Sequence, residues 1–189
     1  MSRPRYQICI SGAAKGVDER LAYGLARAVA VQIVEQGHVV ITGATKALPY
    51  AAAKAAKDVK SEHITSIGFS PAATKLAHVK KYLLPTDAFD LIVYTGFEYT
   101  GRNLLLVRSA DAVVMVGGRI GTLNEFTIAL EEKKPIGVLM GSGGMTNEVQ
   151  RVLKTAHRGR TNIIFDENPA TLVTRLIDIV NTKYRKIGT

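Results

Sequence analysis

The sequence predicts an α/β fold, a doubly wound parallel sheet with helices on both faces, and three observations carry that prediction. Short, continuously apolar, β-branched runs recur along the chain, as in strands buried on both faces. Amphipathic helical patterns stand between them, as parallel crossover connections require. Glycines and hydroxyl residues gather where the apolar runs end.

Taken in order, residues 6–10 form a β-branched run that stops at Ser11 and Gly12. A long helical pattern covers 18–36, with Leu21, Leu25, Ala28, Val29 and Ile33 on one face and Gly37 as its stop. The second strand, 39–41, closes on Thr42 and Gly43; the alanine-rich stretch 47–57 is a short helix, and 64–68 the third strand. Residues 69–88 read as irregular, punctuated by Pro71 and Pro85. Strand 91–94, helix 101–110, strand 112–116 and helix 121–132 follow, then strand 136–140, helix 146–157, strand 163–165 and helix 169–182. No repeat, linker or low-complexity segment interrupts the alternation, so residues 1–189 are expected to form a single Rossmann-like domain.

Lys and Arg outnumber Asp and Glu by 25 to 16, which gives +9 and a pI near 9.7. Such an excess points to a polyanionic or phosphorylated partner. The surplus sits at the ends: +5 over residues 1–60, −2 over 61–132 and +6 over 133–189. No aromatic residues alternate with Lys or Arg as a base-stacking platform needs, so nucleic acid is not the expected partner. The one cysteine, Cys9, lies between Ile8 and Ile10 and reads as strand core. It excludes an intramolecular disulfide and fits a reducing cytoplasm. No apolar run reaches the roughly 20 residues that span a bilayer, and no signal-type core follows the N-terminus. Histidines 38, 63, 78 and 157 lack metal-ligand spacing, so no metal site is expected.

In this architecture ligands sit beyond the carboxyl ends of the strands. Three loops there carry glycine: Ser11, Gly12, Lys15 and Gly16 after the first strand, Thr42 to Thr45 with Gly43 after the second, and Gly117, Gly118, Arg119, Ile120, Gly121 and Thr122 after strand 112–116. Glycines admit an anion close to the backbone, and the following helix offers free N–H groups and a positive dipole end. The third loop is therefore the candidate phosphate site. A dinucleotide fold would need G-x-G-x-x-G in the first loop and an acidic residue after the second strand; neither is there, nor is G-x-x-x-x-G-K-[ST].

The segment RNLLLVRSAD at 102–111, the strand 112–116 and the segment GGRIGTLNE at 117–125 together resemble the signature of the LOG family, within a wider superfamily that includes the molybdenum-cofactor carrier proteins. The spacing matches without gaps from Arg102 to Glu125. The resemblance implies a phosphoribohydrolase that cleaves the N-glycosidic bond of a purine nucleoside 5′-monophosphate to free base and ribose 5-phosphate. It implies that Gly117, Gly118, Gly121 and Thr122 hold the phosphate, that Arg102 is a fixed cation beside it, and that Glu125 faces the ribose. It implies no cofactor, and a homodimer or higher homo-oligomer. Ser11, Gly12, Lys15, Gly43, Asn103 and Arg119 complete the candidate site. Val116 stands where the family has proline, Asn103 where it has lysine, and residues 42–50 lack expected glycines. These features look closer to the carrier branch, so the alternative is a non-catalytic nucleotide or molybdopterin-cofactor binding protein.

Each candidate has a plainer reading. Thr122 and Glu125 also fit a capping box, with Thr122 as N-cap. Arg102 also reads as an exposed helix residue, Lys15 and Lys46 as solvated loop lysines, and residues 183–186 as a frayed tail. Base specificity is expected from 69–88 and around 97–100.

Overall fold

In the computed structural model, which describes residues 4–14 and 19–187, seven parallel strands form one sheet. At its centre lies β1 (Gln7–Gly12), between β2 (Val39–Thr42) and β5 (Ala112–Val116). Outward from β2 follow β3 (Ser66–Ser70) and β4 (Leu91–Tyr94); outward from β5 follow β6 (Ile136–Leu139) and β7 (Ile163–Asp166). Cys9 pairs with Ile41 on one side and Val113 on the other. The chain thus builds outward to β4 and then returns to the far side of β1. That reversal leaves a crevice beyond the carboxyl ends of β1 and β5, where ligands bind in open α/β sheets.

Side chains alternate across β1, and each set meets its own helical layer. Ile8 and Ile10, with Val40 and Val114, pack against α1 (Glu19–Glu35), α2 (Leu48–Asp58) and α7 (Pro169–Ile187) through Ala26, Ile33, Ala52 and Leu172. Cys9, Ile41, Val113 and Met115 face α4 (Glu98–Ser109), α5 (Ile120–Glu131) and α6 (Val149–Thr155) through Leu106, Phe126, Ala129 and Leu153. Cys9 is core, fully buried. Phe126 is also fully shielded and central to the second layer. Phe126→Ala is expected to cost about 3–5 kcal/mol, from lost transfer energy and the cavity left behind. Urea unfolding should show this as a lower midpoint with an unchanged slope.

Three departures from the sequence reading have physical causes. Within 69–88, residues Lys75–Lys80 form a short helix, α3, capped by Thr74, whose Oγ1 accepts the Ala77 N–H at 3.1 Å. Its one inward side chain is His78, with Leu76 and Val79 exposed, so no apolar face announced it. The predicted helix 146–157 is a 3-10 turn, Gly144–Asn147, followed by α6. Most clearly, the tail does not fray at 182, because α7 continues to Ile187. The Tyr184 ring stacks on Tyr6 at 5.5 Å, and its hydroxyl donates to Asp111 Oδ1, which ties the last turns to the sheet. Among the described residues no helix is long and apolar enough to cross a membrane, and no group of three or more His, Cys, Asp or Glu could hold a metal.

Candidate functional site

Two charged side chains reach the crevice from different helices, and both are buried. Arg102, from the second turn of α4, is 5% exposed; Glu125, from the second turn of α5, is 7% exposed. Arg102 fits beneath the loop after β2 only because residue 43 is glycine, since a Cβ there would overlap the guanidinium. Glu125 accepts the Ser11 hydroxyl from the end of β1. Asn103 satisfies its amide when the nitrogen faces Tyr99 O and Glu125 Oε1, each at 3.0 Å. The carboxylate is therefore held by two neutral donors.

Burial sets the electrostatics of the pair. It pushes the Glu125 carboxyl above the ordinary carboxylate range, while Arg102 and the Ser11 hydroxyl pull it part of the way back. Burial also lowers the Arg102 guanidinium, opposed chiefly by Glu125. Cys9 is pushed well up by burial and then by the Glu125 charge, so it stays a neutral thiol.

Arg102 Nε and Nη1 are buried with no hydrogen-bond partner among the described residues, and so is Thr122 Oγ1. Buried polar groups are nearly always satisfied, each orphan costing about 1–3 kcal/mol. All three atoms belong to residues that line one cleft. Its volume is about 690 Å³.

The loop after β5 does something different from what its glycines predict. The Gly117 N–H donates to Ser142 Oγ at 2.7 Å, and the Gly118 carbonyl accepts the Met145 N–H at 3.0 Å. Both glycines are buried against the 141–146 connection rather than on the cleft wall. Gly118, at φ +101°, takes a backbone form that favours glycine; a Cβ there would also lie 2.5 Å from the Thr122 side chain. The anchored loop launches α5 from Arg119, whose side chain makes no capping bond. The first bond of the helix runs from Leu123 N–H to Arg119 O, so the N–H groups of Ile120, Gly121 and Thr122 precede it. These three residues line the cleft. The capping-box reading is corrected here: Thr122 lies inside the helix, and Glu125 bonds Ser11 instead.

Of the candidates, Gly12, Gly43, Arg102, Asn103, Arg119, Gly121, Thr122 and Glu125 line one cleft. Ser11 stands behind Glu125, Gly118 stands behind Thr122, and Gly117 is held by Ser142. Lys15 lies outside the described residues. Arg102 is not the exposed helix residue of the plainer reading; Lys46 is exposed but on the cleft wall. Thr45 and Pro49, in the 42–50 stretch to which sequence reasoning gave no role beyond Gly43, are also on the wall, and Ser142 behind it was missed. The glycine cluster at 141–144, placed at a strand end like the others, was the available signal for Ser142.

Comparison with known proteins shows the family and the fold. The family model described as the SLOG cluster4 family matches residues 5–173. A protein of Archaeoglobus fulgidus is 34% identical over 133 residues, covering 70% of this chain and 79% of that protein. The molybdenum cofactor binding protein of the phototrophic bacterium Rippkaea orientalis superposes with a TM-score of 0.76 at 23% identity, covering 95% of this chain and 99% of that one. The molybdenum cofactor carrier protein of Chlamydomonas reinhardtii gives 0.75 at 21% identity, over 94% and 99%. At such identities the structural likeness establishes the Rossmann-like fold.

Proposed function

We propose that this protein, which belongs to the SLOG cluster4 family, binds a nucleoside 5′-monophosphate in the cleft beyond the carboxyl end of β1 and hydrolyses its N-glycosidic bond. The observation that carries this reading is the convergence of a buried arginine with unpartnered nitrogens and a buried carboxylate on one cleft, beside the open first turn of α5. A phosphate suits that first turn: three N–H groups, a positive dipole end and the Arg102 charge oppose its negative charge. Gly121 and Thr122 belong to that turn, with Gly117 and Gly118 supporting it from behind.

Hydrolysis breaks the bond from ribose C1′ to the base nitrogen and forms one from C1′ to water oxygen. The base leaves with the bonding pair and takes up a proton. Positive charge develops on the ribose as the bond stretches, and the Glu125 carboxylate stabilises it and accepts a proton from the attacking water. Ser11 and Asn103 fix that carboxylate in one orientation. Incubation with AMP should release adenine and ribose 5-phosphate, separable by chromatography. Were no base released from a panel of purine and pyrimidine monophosphates, the hydrolase reading would fall.

A second reading has its own support: two structural neighbours are named as molybdenum cofactor binding or carrier proteins. Here the same cleft holds a phosphorylated heterocycle without turning it over. That reading expects thermal stabilisation by a ligand with no product formed.

A further inference from the structure

Around the cleft, strain and uncovered apolar surface coincide. Leu83 sits at φ +54° and Glu98 at φ +53°, left-handed conformations that a side chain as bulky as leucine rarely takes. Leu83 is also 64% exposed, and Tyr99, one residue beyond Glu98, is 48% exposed; both line the cleft. A strained residue persists only where its surroundings over-determine it.

Those surroundings are specific. The Tyr82 hydroxyl donates to the Glu98 carboxylate, Lys81 lies 3.8 Å from the same group, and the rings of Tyr82 and Tyr99 meet edge to face at 5.9 Å. From beneath, fully buried His78 bonds Ser70 Oγ at 2.8 Å and Pro85 O at 3.0 Å, while the Leu84 N–H donates to the His78 carbonyl. Segment 82–84 is thus fastened at both ends with Leu83 turned outward, a cost in strain and in apolar exposure that folding alone does not repay.

We propose that Leu83 and Tyr99 form the subsite for the flat heterocycle of the bound ligand, with Tyr82, Glu98 and His78 as positioning residues. The inference rests on the reading of the cleft as a nucleotide site. Polar recognition comes from α5 and Arg102, and the apolar and aromatic surface comes from segment 82–84 and the first turn of α4, so one cleft offers both halves of a nucleotide their complement. Stacking on an aromatic ring tolerates different bases, because each has a π-face. This is also the stretch without a readable motif.

The test uses the Glu125→Gln protein, so that binding is measured without turnover, with AMP and ribose 5-phosphate as probes in titration calorimetry. Adding Leu83→Gly or Tyr99→Ala should weaken AMP about tenfold, a typical loss for one stacked base. Ribose 5-phosphate affinity should change less than twofold, and Tyr99→Phe should keep AMP affinity. The Leu83→Gly unfolding midpoint should equal or exceed that of its parent, because glycine takes the left-handed form without strain. Unchanged AMP affinity, a parallel loss for both probes, or a lowered Leu83→Gly midpoint would each overturn the subsite. Absence of base release from AMP by the wild type, with AMP binding and its loss in these variants intact, would instead overturn only the hydrolase reading.

Discussion

Glu125→Gln is expected to lower adenine release from AMP by at least about 100-fold at neutral pH, the usual range for loss of a general base, while leaving the protein more stable than wild type. The two effects share one cause. The carboxylate lies at the cleft wall with little exposure, and its acid form is the one burial favours. Catalysis nevertheless requires the ionised form, because only a negative charge stabilises an oxocarbenium-like ribose. Glutamine keeps the shape and the neutral state and discards the charge. Turnover falls for that reason, not through lost packing.

Linkage gives the pH dependence of the stability difference. The folded protein binds the Glu125 proton more tightly than the unfolded chain does, since its pKa lies above the ordinary value of 4.5. Wild-type stability therefore declines as pH rises from the unfolded pKa through the folded one. Glutamine does not titrate, so the variant should have the higher unfolding midpoint at neutral pH, and the difference should close as pH falls to the ordinary carboxylate range. A variant less stable than wild type at neutral pH would mean that the Arg102 attraction outweighs burial, contrary to the direction assigned here. The same shift moves the acid limb of the rate profile above the usual carboxylate range.

Period and punctuation made the sheet legible. Leu91–Tyr94 and Ala112–Val116 lie where their β-branched runs end, and the helices between are marked by apolar faces long enough to read. Where local pattern was silent, tertiary contacts decided. A six-residue helix with one inward histidine has no periodicity, and a tail rich in Lys and Arg does not reveal that Tyr184 will find Tyr6 and Asp111. β3 begins two residues later than its apolar run, at Ser66, whose N–H with that of Thr65 donates to Asp90, a partner 24 residues away.

The candidate site divides in the same way. Arg102 and Glu125 were singled out through the resemblance of residues 102–125 to the LOG-family signature, and both line the cleft. The glycines beside them were read as phosphate ligands because glycine in a loop before a helix permits that, yet the Gly117 N–H is spent on Ser142. Which side of a loop faces a ligand depends on what lies behind it, and the loop at 141–146 is distant in sequence. The Thr122 and Glu125 pairing is a similar case: the capping spacing is present, but Ser11 offers the carboxylate a donor from β1.

Gly43 and Gly12 separate function from stability. Gly43→Ala should reduce turnover of AMP about 100-fold, comparable to removing a preorganised charge donor, and barely move the unfolding midpoint. The added Cβ would collide with the Arg102 guanidinium, the end of a flexible side chain that can swing away. What swings away is a buried cation with two unpartnered nitrogens, and its departure relieves that desolvation even as it removes the charge from the site. Gly12→Ala meets different atoms: Leu48 Cβ at 2.9 Å and the Val116 carbonyl at 3.2 Å, which belong to a packed helix and a neighbouring strand and cannot yield cheaply. It should cost about 1–3 kcal/mol of stability, as overpacking does. Urea unfolding and AMP turnover measured on both proteins give opposite patterns if Arg102 acts from its buried position. Wild-type turnover by Gly43→Ala would remove Arg102 from the mechanism, because no folded arrangement keeps both that Cβ and the guanidinium where they stand.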